Sequence, residues 1–334
     1  MTGLRWGILA TGGIAASFAS DLRTAGLDLQ AVGSRSQESA DAFAARFDIP
    51  RAHASYEALV EDPGIDIVYV ATPHPMHHDN ARLALEHGKH VLVEKAFTLN
   101  QAQAEDLQRL AAERGLIAME AMWTRYLPHM VRIREILAAG ALGEIRAVMA
   151  DHTQHLPTDP AHRLNALELG GGALLDLGIY PVSFIWDVLG EPVSIQASAR
   201  LGETGADAEI ATVMTHGGGA ISTSLSSSRA AGPNTATIVG TDAWLQIDRV
   251  WYSPTSFRVT ATDGTVLEEY SSQVDGRGMQ YQAFAAEEAV AHGDPAGGDL
   301  ALPISESVAI MGTLDEIRRQ IGVVYPGADE SGKA

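Results

Sequence analysis

Cysteine is absent from the 334-residue chain, which excludes disulfides, thiolate nucleophiles and Cys-ligated zinc. Cationic side chains are scarce: 23 Lys and Arg stand against 42 Asp and Glu, for a formal charge of -19. Such a chain repels phosphate backbones and acidic lipid surfaces, so neither nucleic acid nor membrane is an expected partner. Any anion it binds needs a local cationic pocket. The start Met1-Thr2-Gly3 leads straight into an apolar strand with no basic leader, no apolar run approaches membrane-spanning length, and the expected compartment is the cytoplasm. The rest is ordinary for a globular fold: 46% apolar, 19% charged, and long enough for two domains.

The stretch 4–16, L-R-W-G-I-L-A-T-G-G-I-A-A, reads as strand, turn and helix. Aligned on the dinucleotide fingerprint G-x-G-x-x-G/A, its turn is Ala10-Thr11-Gly12-Gly13-Ile14-Ala15, with alanine in place of the first glycine. A backbone bare of side chains there can approach a pyrophosphate, whose charge rests on the helix N-terminus. Thr11, Gly12, Gly13 and Ile14 are the candidate contacts. A second strand, 27–32, ends in Gly33-Ser34-Arg35-Ser36, where an NAD-specific fold would carry an acidic residue for the ribose 2'-hydroxyl. None is present. Ser34, Arg35 and Ser36 suit a 2'-phosphate instead, so NADP is the expected cofactor and NAD the alternative. Ser36 also stands where a helix from Gln37 needs its N-cap.

Strand and helix then alternate: helix 37–47, strand 65–71 followed by Thr72-Pro73-His74-Pro75-Met76-His77, helix 79–87, strand 90–93 running into Glu94-Lys95-Ala96, helix 100–114 and strand 116–121. This is the grammar of an α/β fold, a doubly wound parallel sheet filling residues 1–122. From about Ile145 strands follow one another at 145–151, 193–201, 208–215, 220–228, 234–240, 244–248, 257–262 and 266–270, interrupted by helices at 172–189 and 279–292 and followed by one at 305–321. A second α+β domain, 123–334, with a large open, mainly antiparallel sheet is expected. An open sheet leaves one face without helical cover, and an uncovered apolar face marks association, so a homo-oligomer, most simply a dimer, is expected.

The landmarks L-R-W-G-I-L, T-P-x-x-x-H at 72–77, E-K at 94–95, M-E-A-M-W-T-R-Y at 119–126, G-G-A-L-L-D-L-G-I-Y at 171–180, G-M-x-Y at 278–281 and I-G-V-V-Y-P at 321–326 together resemble the Gfo/Idh/MocA oxidoreductase family over nearly the whole chain. Within it the chain is most similar to the dimeric dihydrodiol dehydrogenases and the NADP-dependent D-xylose dehydrogenases. One departure is Ala96, where the family usually has proline.

The resemblance implies that Lys95, Asp176 and Tyr180 converge. Tyr180 would be the general acid/base, Lys95 would hold the alkoxide and lower the phenol's pKa, and Asp176 would orient the lysine or the substrate hydroxyl. On residue spacing alone, Asp176 and Tyr180 fall on one helical face. The family further suggests that Trp123 and Arg125 wall the nicotinamide and substrate pocket, that Thr72, Pro73, His77 and Glu94 border the cofactor, and that Arg163 and Asn165 meet substrate hydroxyls. The histidines at 74, 77 and 78 and at 152 and 155 invite a metal reading, but 145–155 looks extended and no carboxylate stands at ligand spacing, so no metal is expected and these are read as loop or pocket-lining histidines. The implied activity is hydride transfer between NADP(H) and a hydroxyl or carbonyl of a sugar, cyclic polyol or dihydrodiol. The alternatives are a family enzyme that uses its nicotinamide transiently, for glycoside cleavage or internal oxidoreduction, and a dinucleotide-binding regulator without turnover.

Overall fold

The computed structural model describes residues 3–327, so the expected domain limits at 1 and 334 lie outside the described residues. The chain divides into two compact units, Met1–Trp123 with Val274–Val308, and Thr124–Gln273 with Ala309–Ala334.

In the first unit, β1 (Trp6–Leu9), β2 (Leu29–Gly33), β3 (Arg51–His53), β4 (Ile67–Val70), β5 (His90–Glu94) and β6 (Ala118–Ala121) form a parallel sheet in the order β3-β2-β1-β4-β5-β6. This is the doubly wound dinucleotide-binding order, and its ligands bind at the carboxyl edge. The strands β1, β4 and β6 are buried along their whole length, as expected when helices cover both faces; β1 and β4 are continuous apolar runs, while β6 carries the buried Glu120. Around them run α1 (Gly13–Thr24), α2 (Gln37–Phe47), α3 (Tyr56–Val60), α4 (His77–Glu86) and α5 (Gln101–Arg114). Ser36, Ser55 and Asn100 cap α2, α3 and α5 by accepting a backbone N–H three residues on. Phe18 of α1 stacks on Tyr69 of β4 at 3.9 Å and meets Trp6 of β1 edge-on at 5.5 Å, all three fully buried. The sequence reading has no element between 48 and 64, because β3 and α3 are too short for their periodicity to register.

The second unit begins with α6 (Pro128–Ala138) and β7 (Ile145–Thr153), continues with α7 (Ile179–Leu189), and then runs through β8 (Pro192–Leu201), β9 (Asp207–His216), β10 (Ile221–Ser227), β11 (Ala236–Gly240), β12 (Ala243–Ile247), β13 (Ser256–Ala261) and β14 (Val266–Ser271). Among the described residues its eight strands lie in the order β14-β13-β12-β11-β7-β10-β9-β8. Only β7 and β10 pair in parallel; the other neighbours are antiparallel. The helix α8 (Gln280–His292) groups with the first unit, and α9 (Ile304–Ile321) spans the boundary in sequence.

Two expectations are corrected here. The segment 172–189 is not a uniform α-helix: Leu174–Gly178 is a wide π turn, and α7 starts only at Ile179. The same region also overturns the statement that no apolar run approaches membrane-spanning length, since Leu167–Leu189 has 23 residues and the composition of a span. Its physical reason is local: 78% of that apolar window is buried inside the fold, as the core helix of a packed domain requires.

Candidate active site

The glycine turn lies at the carboxyl end of β1, in the middle of the parallel sheet. Ala10 takes φ 90°, the left-handed backbone that the fingerprint's missing glycine would adopt freely. Gly12 is the N-cap of α1, with no side chain capping that helix and no acidic residue in its first turn. A Cβ added at Gly12 or Gly13 would meet nothing within 4 Å. Open space therefore lies over the first-turn N–H groups, and a pyrophosphate fits it.

The two neighbouring strand ends carry the other candidates. After β2, Ser34 is buried while Arg35 and Ser36 are exposed, and the Ser36 hydroxyl accepts the N–H of Ser39 as the cap of α2. Ala10 donates to Gly33 O at 2.9 Å, which sets the glycine turn against the start of this segment. After β4, Thr72 O lies 2.8 Å from His77 Nε2, while Ala96 O, beyond β5, lies 2.9 Å from His77 Nδ1. The neutral ring donates to one of these carbonyls, and burial pushes its pKa down to about 4. His77 thus ties the loops after β4 and β5 together. Pro73 opens the short turn between Thr72 and α4, and His74 Nε2 adds a contact to Lys95 O at 3.2 Å.

Lys95 follows directly on β5 and is half-buried; the Lys95–Ala96 peptide is cis. Behind it Glu94 is buried, accepts the hydroxyl of Tyr69, and is pushed above the usual carboxylate range by that burial. Trp123, also buried, closes this edge, with the Arg277 guanidinium over its ring at 5.3 Å. Thr11, Gly12, Gly13, Ser34, Thr72 and Lys95 thus line one sheet edge.

In the second unit, Tyr180 is the second residue of α7 and is 8% exposed. Its ring meets His152 of β7 edge-on at 4.9 Å, and His152 stacks on Tyr252 at 3.8 Å. Pro181 has no N–H to return to the carbonyl of Leu177, four residues back, and that carbonyl accepts from His152 Nδ1 at 3.2 Å. Gln154 Nε2 lies 2.8 Å from His152 Nε2, and since a carbonyl can only accept, His152 donates to Leu177 from Nδ1. Asp176 lies in the π turn, and the largely exposed Arg163 donates to it at 3.3 Å. Wide turns of this kind recur at functional sites.

Arg125 is 3% exposed, pairs with Asp187 at 2.9 Å, and donates to the Ser183 side chain and carbonyl; these contacts fasten α7. The Asn165 amide donates to Pro157 O and Asp159 O and accepts from Arg229, so it organises its own loop. Sequence reasoning missed Tyr252 and Arg277, and set His152 down as a loop or pocket-lining histidine in preference to a metal ligand. Burial alternation along β7 could have turned His152 inward; the partner across 99 intervening positions has no local signal.

A Rossmann sheet with an open glycine turn and a lysine at its carboxyl edge defines the dinucleotide-binding oxidoreductases as a class. Residues 4–122 match the oxidoreductase family with NAD-binding Rossmann fold, and residues 130–246 match the Gfo/Idh/MocA C-terminal domain. The chain belongs to the Gfo/Idh/MocA family of oxidoreductases. It is 37% identical over 331 residues to the trans-1,2-dihydrobenzene-1,2-diol dehydrogenase of Xenopus laevis, spanning 96% of this chain and 99% of that one. It is 35% identical over 366 residues to the D-xylose 1-dehydrogenase (NADP(+)) of Hypocrea jecorina, spanning 97% and 93%. Among solved structures it is similar to KijD10, a 3-ketoreductase of Actinomadura kijaniata in complex with TDP-benzene and NADP, with a TM-score of 0.81, 26% identity, and 96% and 98% of the two chains covered. A levoglucosan dehydrogenase shares the fold at a TM-score of 0.86 and 18% identity, over 96% and 97% of the chains.

Proposed function

We propose that the chain is an NADP-dependent dehydrogenase that oxidises a hydroxyl of a sugar, cyclic polyol or dihydrodiol, or reduces the matching carbonyl. The observation that carries this reading is the carboxyl edge of the parallel sheet, where Lys95 stands on the same edge as the open glycine turn. The two sequence relatives named above, a diol dehydrogenase and an NADP-dependent xylose dehydrogenase, support the substrate class and the cofactor.

The residues divide the work. The N–H groups at Gly12 and Gly13 hold the pyrophosphate, and Ser34 with Arg35 holds the 2'-phosphate. When bound, the nicotinamide supplies the hydride acceptor or donor. Tyr180 Oη takes the proton from the substrate hydroxyl during oxidation and returns it during reduction. The Lys95 ammonium stabilises the charge that develops on the substrate oxygen, and Asp176 orients the hydroxyl. His152, held by its Nδ1–H donation to Leu177, buttresses the Tyr180 ring.

Tyr180→Phe keeps the ring and removes the proton carrier. Its turnover should fall at least about 100-fold, the usual worth of a general acid/base, with NADP affinity within about twofold of wild type. Full activity in this variant would remove Tyr180 from the mechanism. A regulator without turnover would show no dehydrogenase activity before or after the change.

A further inference from the structure

We infer that Asp207, a residue distant in sequence from every candidate above, is a positioning residue that fixes the start of the Asp176–Tyr180 segment by tying it to the sheet of the second unit. This inference rests on the proposed role of Asp176 and Tyr180. Asp207 opens β9, which is paired on both sides, with β8 and β10. Its side chain is 2% exposed, and Oδ2 accepts the N–H of Leu174, the first residue of the π turn, at 2.6 Å. A π turn leaves its leading N–H groups without partners in the preceding chain, and a carboxylate answers that need with charge as well as geometry.

Three neighbours show that the contact is built in rather than incidental. Gly172, just before the turn, has φ 142°, and a Cβ there would lie 2.1 Å from Asp207 Oδ1, so only glycine lets the carboxylate approach. Tyr325 Oη lies 3.5 Å from that same Cβ position, which brings the I-G-V-V-Y-P tail to the segment's start. Arg318, 5% exposed and 4.8 Å above the Tyr325 ring, attracts the Asp207 charge and offsets part of the cost of burying it. At the far end Arg125 and Asp187 fasten α7, so the candidate residues sit on a segment held at both ends.

Asp207→Asn and Asp207→Ala separate positioning from simple stability when kcat is expressed per bound NADP. Positioning predicts a fall in kcat of about tenfold or more with the NADP dissociation constant within about twofold, because the cofactor contacts belong to the first unit. It also predicts at least about tenfold faster amide exchange confined to 173–182. Wild-type kcat per bound NADP in either soluble variant, or unchanged exchange over 173–182, overturns the inference. Should Asp207→Ala not fold, Asp207→Asn, which keeps one acceptor and the volume, carries the test, with Tyr325→Phe as an independent, milder lesion expected to move kcat in the same direction. If the wild type turns over no substrate, the proposed function fails separately, and the exchange measurement still reports whether Asp207 holds the segment.

Discussion

Ala10 shows how the chain keeps a glycine geometry without the glycine. An alanine at φ 90° is strained by about 1–2 kcal/mol relative to glycine, while glycine costs part of that back as unfolded-chain entropy. Ala10→Gly should therefore stabilise the fold by about 1 kcal/mol in a denaturant titration. No gain, or a loss, would mean the turn carries no strain at that residue. Arg35 is the other decisive single residue. It is the one cation in Ser34-Arg35-Ser36, exposed at the end of β2. Removing a charge-assisted contact to phosphate costs about 1.5–3 kcal/mol, so Arg35→Ala should weaken NADP binding by about 10- to 100-fold and leave NAD within about twofold. Equal losses for both dinucleotides would place the 2'-phosphate elsewhere.

At the scale of elements, α6 and the His77 link between β4 and β5 set the response to acid. His129 on α6 is buried with Nε2 3.1 Å from Trp251 O, and its burial pushes its pKa down to about 4, as burial does for His77. The unfolded chain protonates these rings as pH falls through the ordinary 6.5, whereas the folded one does so only near 4, so stability drops across that window. Each imidazole contributes about 3 kcal/mol of this loss. Asp207 works in the opposite sense. Its burial lifts it to about 6, so ionising it costs the folded state about 3 kcal/mol as pH rises from near 4 to 6. Glu94, raised by burial, acts as Asp207 does, while His90 and His216, lowered by burial, act with His77 and His129; the histidines outweigh the two carboxylates, and thermal melts should show lower stability at pH 4.5 than at pH 7. His129→Asn should flatten that slope; an unchanged slope would remove His129 as its source.

Elements also show what the sequence could carry. The glycine turn was legible because its signal is local: a strand, two glycines and a helix within 20 residues. The strands of the large sheet, such as β10 and β12, were legible from alternation, and their burial does alternate. Local patterns do not encode partners, so the parallel pairing of β7 with β10 and the stacking of His152 on Tyr252 were beyond reach. The π turn was hidden because its residues are apolar like those of the helix that follows, and the chain reads identically until Pro181 withdraws its N–H. The carbonyls that the Asn165 amide meets, Pro157 O and Asp159 O, were likewise beyond local reading, because a loop amide gives no sign of which partners it will find.

For the whole molecule, the large sheet leaves an apolar face uncovered within the described chain. Met149, Val213, Ile221 and Leu225 lie on one side of the adjacent strands β7, β10 and β9, and Trp244 lies on the same side of β12, one strand beyond β11; all are 37–49% exposed. A continuous apolar face of this kind favours association, and we infer a homodimer formed through it. Light scattering should give twice the chain mass, and Leu225→Glu with Val213→Glu should give single chains, because unpaired charges of one sign are costly to bury at such an interface. A wild-type monomer at micromolar concentration would set this aside.

The central claim is that this chain moves hydride between NADP and a polyhydroxy substrate. The most direct measurement is nicotinamide absorbance on mixing the protein with NADP or NAD and a panel of aldoses, inositols and cyclic diols. The account predicts turnover with at least one panel member, faster with NADP than with NAD. Absence of turnover across the panel with both dinucleotides would contradict it.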